Sequence, residues 1–108
     1  MERFEISLLF DIYGKLLTER QREMLSLYYN CDLSLAELAE MFSVSRQAAR
    51  ESIKRGESLL IDYENLLGIY KTKNELNEIA TDLLASIEKG DTAETKKAAD
   101  KLKKLVEE

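Results

Sequence analysis

The sequence contains no proline, histidine or tryptophan, and only four glycines and one cysteine occur among its 108 residues. Residues that end or bend a helix are therefore scarce. Leu, Glu, Lys, Ala and Ser dominate the rest, a composition that favours helices over strands and turns. A chain of this length can bury a core without disulfides or a bound metal. We therefore expect an all-α fold of about six helices.

The same absences limit the chemistry that the chain can perform. Without histidine, with Cys31 as the one cysteine and without a glycine-rich loop, the sequence has no pattern for a metal site, a nucleophilic triad or a phosphate cradle. We expect a protein that is not an enzyme and needs no cofactor. A lone cysteine indicates a reducing compartment, and neither a secretion signal nor an apolar run of about 18 residues is present. We expect a cytoplasmic protein with no membrane partner.

The charge balance limits how the chain could meet nucleic acid. It carries 16 basic and 21 acidic residues, for a formal net charge of -5. Such a chain does not coat nucleic acid along its whole surface. One segment differs, because Arg46, Arg50, Lys54 and Arg55 stand there against Glu51 alone. Any contact with nucleic acid must therefore be local.

Apolar residues at spacings of three and four predict two helices in the first third of the chain. The first spans about Glu5 to Leu17, and the second about Glu19 to Tyr29. Local side-chain hydrogen bonds at residues 30–32 end the second helix. The residues expected to face the core are Ile6, Leu9, Ile12, Tyr13, Leu16, Met24, Leu25 and Tyr28.

Two capping boxes fix helix starts. Thr18 and Gln21 form the first, before the second helix, and Ser34 and Glu37 form the other, which starts a third helix at Leu35. In each box the hydroxyl accepts from a free backbone N–H while the longer side chain reaches back to the cap. The inward residues of the third helix are Leu35, Leu38, Ala39 and Phe42.

A tight turn and a long fourth helix follow. Ser43 and Val44 make the turn, and Ser45 is a good N-cap, so residues 35–54 predict a helix-turn-helix unit. Beyond the turn an apolar stripe predicts a helix of about six turns that ends at Gly68. Gly56 lies on this stripe and favours a close helix crossing. The stripe consists of Ala49, Ile53, Gly56, Leu60, Tyr63 and Leu67.

The last part of the chain predicts an antiparallel hairpin of two helices. The fifth helix spans about Tyr70 to Lys89, and Asp91 and Glu94 cap the sixth. We expect residues 1–67 to form a helix-turn-helix domain and residues 68–108 a hairpin that packs on it or forms a dimer interface. The stripe is longer than its own domain needs, which favours a homodimer. The inward residues of the hairpin are Leu76, Ile79, Ala80, Leu83, Ile87, Ala98, Ala99, Leu102, Leu105 and Val106.

The fourth helix presents a candidate nucleic-acid-binding face. With the apolar stripe inward, Gln47, Arg50 and Lys54 point to the opposite side and Arg46 flanks them. A helix that enters a major groove needs side chains that reach base edges and cations that neutralise phosphates. Ser45 at the helix N-terminus can meet a phosphate. A protein contact, or a merely solvated face, are the alternatives for these residues.

Two blocks of sequence make the chain resemble a known family. The segment AELAEMFSVSRQAARESIKR resembles the helix-turn-helix of the fourth region of bacterial sigma factors, especially in the V-S-R that opens the recognition helix. From Leu8 to Leu67 the chain more closely resembles the YlxM family, through LLTERQR and SLAELAEMFSVSRQA. It departs from that family at Ala49 and Arg50, and Arg50 adds a positive charge.

The resemblance implies a regulatory helix-turn-helix protein without enzymatic activity. It also implies a role in the signal recognition particle pathway, through the particle RNA or its GTPase. The chemistry of the helix-turn-helix instead favours a DNA-binding transcription regulator with a recognition helix at residues 46–55. We expect the role in the particle pathway first, and the DNA-binding regulator is the alternative.

Overall fold

The computed structural model describes residues 1–107, which divide into two compact units, Met1–Tyr70 and a second that begins at Lys71. The described chain contains α-helices, one short 3-10 turn and no strand, so the predicted all-α fold is confirmed. The six helices are α1 (Arg3–Tyr13), α2 (Glu19–Tyr29), α3 (Leu35–Phe42), α4 (Arg46–Leu67), α5 (Ile69–Lys89) and α6 (Thr92–Glu107).

Both predicted capping boxes are confirmed, and they explain why α2 and α3 begin where they do. Thr18 Oγ1 accepts from the Gln21 N–H at 3.2 Å, and Gln21 Oε1 accepts from the Thr18 N–H at 3.1 Å. Ser34 and Glu37 make the same pair of bonds at 3.1 and 3.0 Å. The hydrogen bonds from Ser34 hold the pKa of the Glu37 carboxyl below its usual range.

The first helix ends earlier than predicted. A 3-10 turn over Gly14–Leu16 follows Tyr13. With about 3.0 residues per turn instead of 3.6, this turn rotates the side chains that follow it. Leu16, expected to face the core, is therefore 54% exposed, and Leu17 is buried in its place. The prediction for Leu16 was wrong because an α-helical spacing was extended through a 3-10 turn.

Helix α4 is the central element of the first unit, since α1, α2 and α3 all pack on it. Gly56 is buried against Leu25 of α2, so the predicted close crossing is confirmed. The core of this unit is Ile6, Leu9, Phe10, Tyr13, Leu17, Met24, Leu25, Leu38, Ala39, Ala49, Ile53 and Leu60.

The apolar stripe of α4 ends before the helix does. Tyr63 is half-buried, whereas Leu67 is 52% exposed, so the predicted burial of Leu67 was wrong. The last turn directs Glu64 toward α1, where Glu64 Oε1 accepts a hydrogen bond from the Tyr13 hydroxyl at 2.6 Å. Gly68 then adopts a left-handed conformation with φ 62° and ends the helix, as predicted.

The second unit is an antiparallel hairpin, as predicted, but it buries little. One groove between the two helices is lined by Glu75, Glu78, Ile79 and Asp82 of α5 and by Lys101, Lys104 and Leu105 of α6. Near the turn, the Ser86 and Thr95 hydroxyls form a 2.8 Å hydrogen bond. Ser86 and Ala98 are the buried side chains among residues 71–107.

Several side chains of the hairpin do not face inward as predicted. Ile79, Leu83, Leu102 and Leu105 are half-buried, but Leu76, Ala80, Ile87, Ala99 and Val106 are exposed. Within this unit each helix has a single helical neighbour, so only a narrow strip of each is shielded from water. Sequence periodicity shows which face is apolar, but it does not show what covers that face.

Candidate nucleic-acid interface

A tight turn between α3 and α4 builds the helix-turn-helix. Ser43 has φ 55° and ψ 45°, a left-handed conformation that is uncommon for a residue other than glycine. Its N–H donates to the Glu40 carbonyl at 3.3 Å, and the Val44 N–H donates to the Ala39 carbonyl at 3.0 Å. These bonds satisfy the last carbonyls of α3 and fix the direction in which α4 leaves the turn.

Ser45 caps the start of α4, as predicted. Its Oγ accepts from the Ala48 N–H at 3.0 Å, and the residue is exposed. The first turn of α4 contains no acidic residue. The positive end of the helix dipole at Ser45 is therefore not neutralised by a carboxylate within that turn, which favours an anion there.

The predicted basic residues form one exposed row along α4. Arg46, Arg50 and Lys54 are spaced four apart, so their side chains lie above one another on the same face. Ala49 and Ile53, on the side of α4 next to this row, are buried. Among residues 1–107 none of the three cations takes part in an ion pair. Their charges are therefore available to an anionic partner.

Gln47 lies beside this row but is engaged within the helix. Its Nε2 donates to Glu51 Oε1 at 3.3 Å, and both side chains are exposed. In the sequence Glu51 stands out only as the single negative charge among four positive ones, so its hydrogen bond with Gln47 was not predicted. The spacing of four between Gln47 and Glu51 could have indicated the hydrogen bond, because residues at i and i+4 are neighbours on a helix surface.

The helix that carries the row is firmly supported from behind. Leu38 and Ala49 are fully buried, and Ala39 is 6% exposed, so α3 and α4 meet through small and well-packed side chains. The Arg20 guanidinium lies 5.3 Å from the centre of the Phe42 ring and joins α2 to α3. The row therefore has the fixed backbone that groove recognition requires.

The described part of the chain gives little support for a metal site, a reactive cysteine or a membrane-spanning helix. Residues 1–107 contain no group of three or more cysteine and acidic side chains placed to hold a metal ion. Cys31 is free and exposed. No described helix is both long and apolar enough to cross a membrane.

Comparison with known proteins supports the resemblance found in the sequence. The UPF0122 family model, described as "Putative helix-turn-helix protein, YlxM / p13 like", matches residues 1–102. A UPF0122 protein of Clostridium kluyveri is 44% identical over 105 residues, which covers 97% of this chain and 95% of the relative. A UPF0122 protein of Clostridium perfringens is 42% identical over 106 residues, covering 98% and 90%. One from Desulforamulus reducens is 37% identical over 110 residues, covering 98% and 94%.

Proposed function

Because the chain belongs to the UPF0122 family of YlxM / p13-like helix-turn-helix proteins, we propose that it is a non-enzymatic regulator that binds nucleic acid through α4. The contacting residues are Ser45, Arg46, Gln47, Arg50 and Lys54. One observation carries this proposal: three cations, free of ion pairs within residues 1–107, form an exposed row on a helix whose apolar stripe is buried in the core.

Each residue has a role that follows from its position. Arg46 and Gln47, in the first turn, reach base edges, because the N-terminal turns of a recognition helix enter the groove first. Arg50 and Lys54 lie farther along the helix and neutralise phosphates. Ser45 and the start of the helix meet a phosphate of the flanking strand.

The acidic surroundings limit the affinity of a single copy. The whole chain has a net charge of -5, and a row of three cations neutralises few phosphates. We therefore propose that the protein binds as a dimer, which presents two such helices and combines their affinities. Long-range repulsion by the rest of the chain makes binding sensitive to ionic strength.

Two physiological settings are compatible with this face. The YlxM resemblance favours a regulator of the signal recognition particle pathway, whose partners are the particle RNA and the particle GTPase. The alternative is a DNA-binding transcription regulator with a recognition helix at residues 46–55. The exposed first turn of α4 favours this second setting, since it has the form that reads a major groove.

A binding panel tests the proposal and separates the two settings. Duplex DNA, particle RNA and the particle GTPase are each titrated over a range of salt concentrations, with Arg46→Ala, Arg50→Ala and Lys54→Ala beside wild type. Lys15→Ala is the matched control, because Lys15 is exposed on the same unit but lies outside α4. Each row variant is expected to weaken nucleic-acid binding, while Lys15→Ala binds as wild type. Arg50→Ala and Lys54→Ala should each reduce the salt slope by about 1, whereas Arg46→Ala should chiefly relax sequence preference.

The outcomes assign the partner. Preference for duplex DNA supports the transcription regulator, and preference for the RNA supports the particle pathway. If binding is restricted to the GTPase and the row variants weaken it, the face is a protein interface instead. Unchanged affinity of all three row variants for both DNA and RNA would refute the proposed face.

A further inference from the structure

The hairpin of α5 and α6 has two unlike sides. One side carries charges: Glu75, Glu78 and Asp82 of α5 line a groove with Lys101 and Lys104 of α6. With about 3.6 residues per turn, the other side of the hairpin carries exposed apolar residues from both helices. These are Leu76, Ala80, Leu84 and Ile87 on α5, and Ala99 and Val106 on α6, where Lys103 lies between the last two.

The apolar side is open to solvent. Leu84 is 63% exposed, Ile87 57% and Val106 76%. The only buried side chains among residues 71–107 are Ser86 and Ala98. A unit of fewer than about 40 residues with so small a core usually needs a disulfide, a metal or association to be stable. The chain offers a single cysteine outside this unit and no metal site among the described residues, which leaves association.

The charges of the two helices point to a particular partner. Helix α5 carries three lysines and four acidic residues, whereas α6 carries five lysines and three acidic residues. The two helices therefore have net charges of opposite sign, and together they are nearly neutral. A second hairpin of the same sequence meets no strong repulsion, and its basic helix complements the acidic helix of the first.

We propose that this apolar side is the homodimer interface, and that a second copy of the chain places its own hairpin against it, with α5 of each copy packed on α6 of the other. A two-fold axis parallel to the helices produces this arrangement and buries the same side of both copies. The result is a four-helix bundle whose neighbouring helices are antiparallel. The dimer is part of the proposed function, but its interface follows from the hairpin alone.

Sedimentation of the full chain without nucleic acid tests the proposal. Wild type is expected to sediment at twice the 12.4 kDa mass of the chain. Ile87→Glu and Val106→Glu are each expected to sediment as monomers, because a carboxylate would have to be buried in the dimer. Ala85→Glu is the control, since Ala85 is exposed on the charged side of α5, and this variant is expected to remain a dimer.

Disulfide trapping gives a second measurement that does not depend on disruptive variants. In a Cys31→Ser background, Leu76→Cys protein is mixed with Val106→Cys protein and oxidised. The mixed disulfide is expected, because Leu76 of one copy lies near Val106 of the other in the proposed arrangement. Ala85→Cys protein is expected to form none with either.

Several results would overturn the proposal. A monomeric wild type would mean that the hairpin packs on its own chain or stands alone. Persistence of the dimer in both Ile87→Glu and Val106→Glu, or its loss in Ala85→Glu, would place the interface elsewhere. Disulfides that each cysteine variant forms only with itself would exclude the packing of α5 on α6. Since none of these experiments includes nucleic acid, failure here leaves the role of Arg46, Arg50 and Lys54 to be decided by the binding panel.

Discussion

Gly56 of α4 packs directly on the side chain of Leu25 of α2, and a Cβ atom at position 56 would overlap Leu25 Cδ1 and lie 3.3 Å from Cγ. Leu25 is fully buried, so its side chain could yield only by shifting against its core neighbours. The crossing of α2 and α4, which supports the recognition helix from behind, therefore depends on the missing side chain of Gly56.

We predict that Gly56→Ala destabilises the protein. Overpacking costs about 1–3 kcal/mol, whereas the gain in helix propensity is about 1 kcal/mol, so the net loss is up to about 2 kcal/mol. Urea unfolding followed by circular dichroism measures it. Ser58→Ala, at an exposed position of the same helix, is the control and should be neutral or slightly stabilising. In the Leu25→Ala background the cost of Gly56→Ala should largely disappear, and an equal cost in both backgrounds would contradict the clash.

A second prediction concerns Tyr13, which joins α1 to the junction of α4 and α5. Its hydroxyl donates to Glu64 Oε1 at 2.6 Å and accepts from the Ile69 N–H at 3.0 Å. Tyr13→Phe removes both bonds in a buried place and should cost about 1–3 kcal/mol of unfolding free energy. Tyr63→Phe is the matched control, because the Tyr63 hydroxyl is exposed and its bond to the Leu16 carbonyl is 3.5 Å long. If both variants lost the same unfolding free energy, the two hydrogen bonds of the Tyr13 hydroxyl would not be the source of its effect.

Alkaline pH is expected to destabilise the fold through two tyrosines. Burial, and then hydrogen bonds to Glu64 and Glu57, raise the pKa of Tyr13 and of Tyr29 above the ordinary 10.0. The folded state thus favours the protonated phenols, while the unfolded state ionises from about pH 10. Their stabilisation is complete below about pH 10 and is lost as the pH rises toward the folded values. Across this pH range the free energy of unfolding should fall less in Tyr29→Phe than in wild type. If it fell equally steeply with pH in both proteins, Tyr29 would not be one of the groups responsible.

Arg3 is expected to contribute more to the stability of the fold than its ion pair with Asp32 does. It donates to the Tyr28 carbonyl at 2.6 Å and lies 4.4 Å and 4.7 Å from the ring centres of Tyr28 and Tyr29. Its partner Asp32 is 89% exposed, at 3.6 Å. Arg3→Ala should lower the unfolding free energy by about 1–2 kcal/mol, but Asp32→Ala by no more than about 0.5 kcal/mol. Thermal unfolding of both variants at low and high salt tests this order, and a larger effect of Asp32→Ala would reverse the interpretation.

The last prediction concerns Glu51, the acidic residue beside the basic row. Glu51→Gln removes a charge that repels phosphate while keeping a partner for Gln47. Nucleic-acid affinity should rise about two- to fivefold at low salt, and less at high salt. Asp62→Asn removes the same charge from an exposed position farther along α4 and serves as the control. A gain as large for Asp62→Asn would mean that net charge, and not this face, controls binding.

The parts of the fold that depend on neighbouring residues were predictable from the sequence. Capping boxes at Thr18 and Ser34 and the stop at Gly68 involve residues within a few positions of one another, so their hydrogen bonds are set by local spacing. The exposed row of Arg46, Arg50 and Lys54 followed from the same helical period. Its role in binding is still a prediction.

The predictions that failed involve contacts between distant segments. Leu16 and Leu67 match the apolar period, yet they are exposed, since a 3-10 turn rotates the first and no segment of the first unit covers the second. In the sequence Glu64 looks like an ordinary surface charge. In the structure its carboxylate accepts a hydrogen bond from the hydroxyl of Tyr13, which lies 51 residues away. No local pattern contains that information.

By itself the sequence determined that this chain is helical, where most of its helices begin and end, and which face of α4 is basic, because these properties depend on composition and on residues three or four apart. Only the tertiary structure decided which apolar residues are covered, that Gly56 must lack a side chain, and that the outer side of the hairpin is left open. Burial and steric fit depend on the segments that fold against a residue, and these lie far from it along the chain.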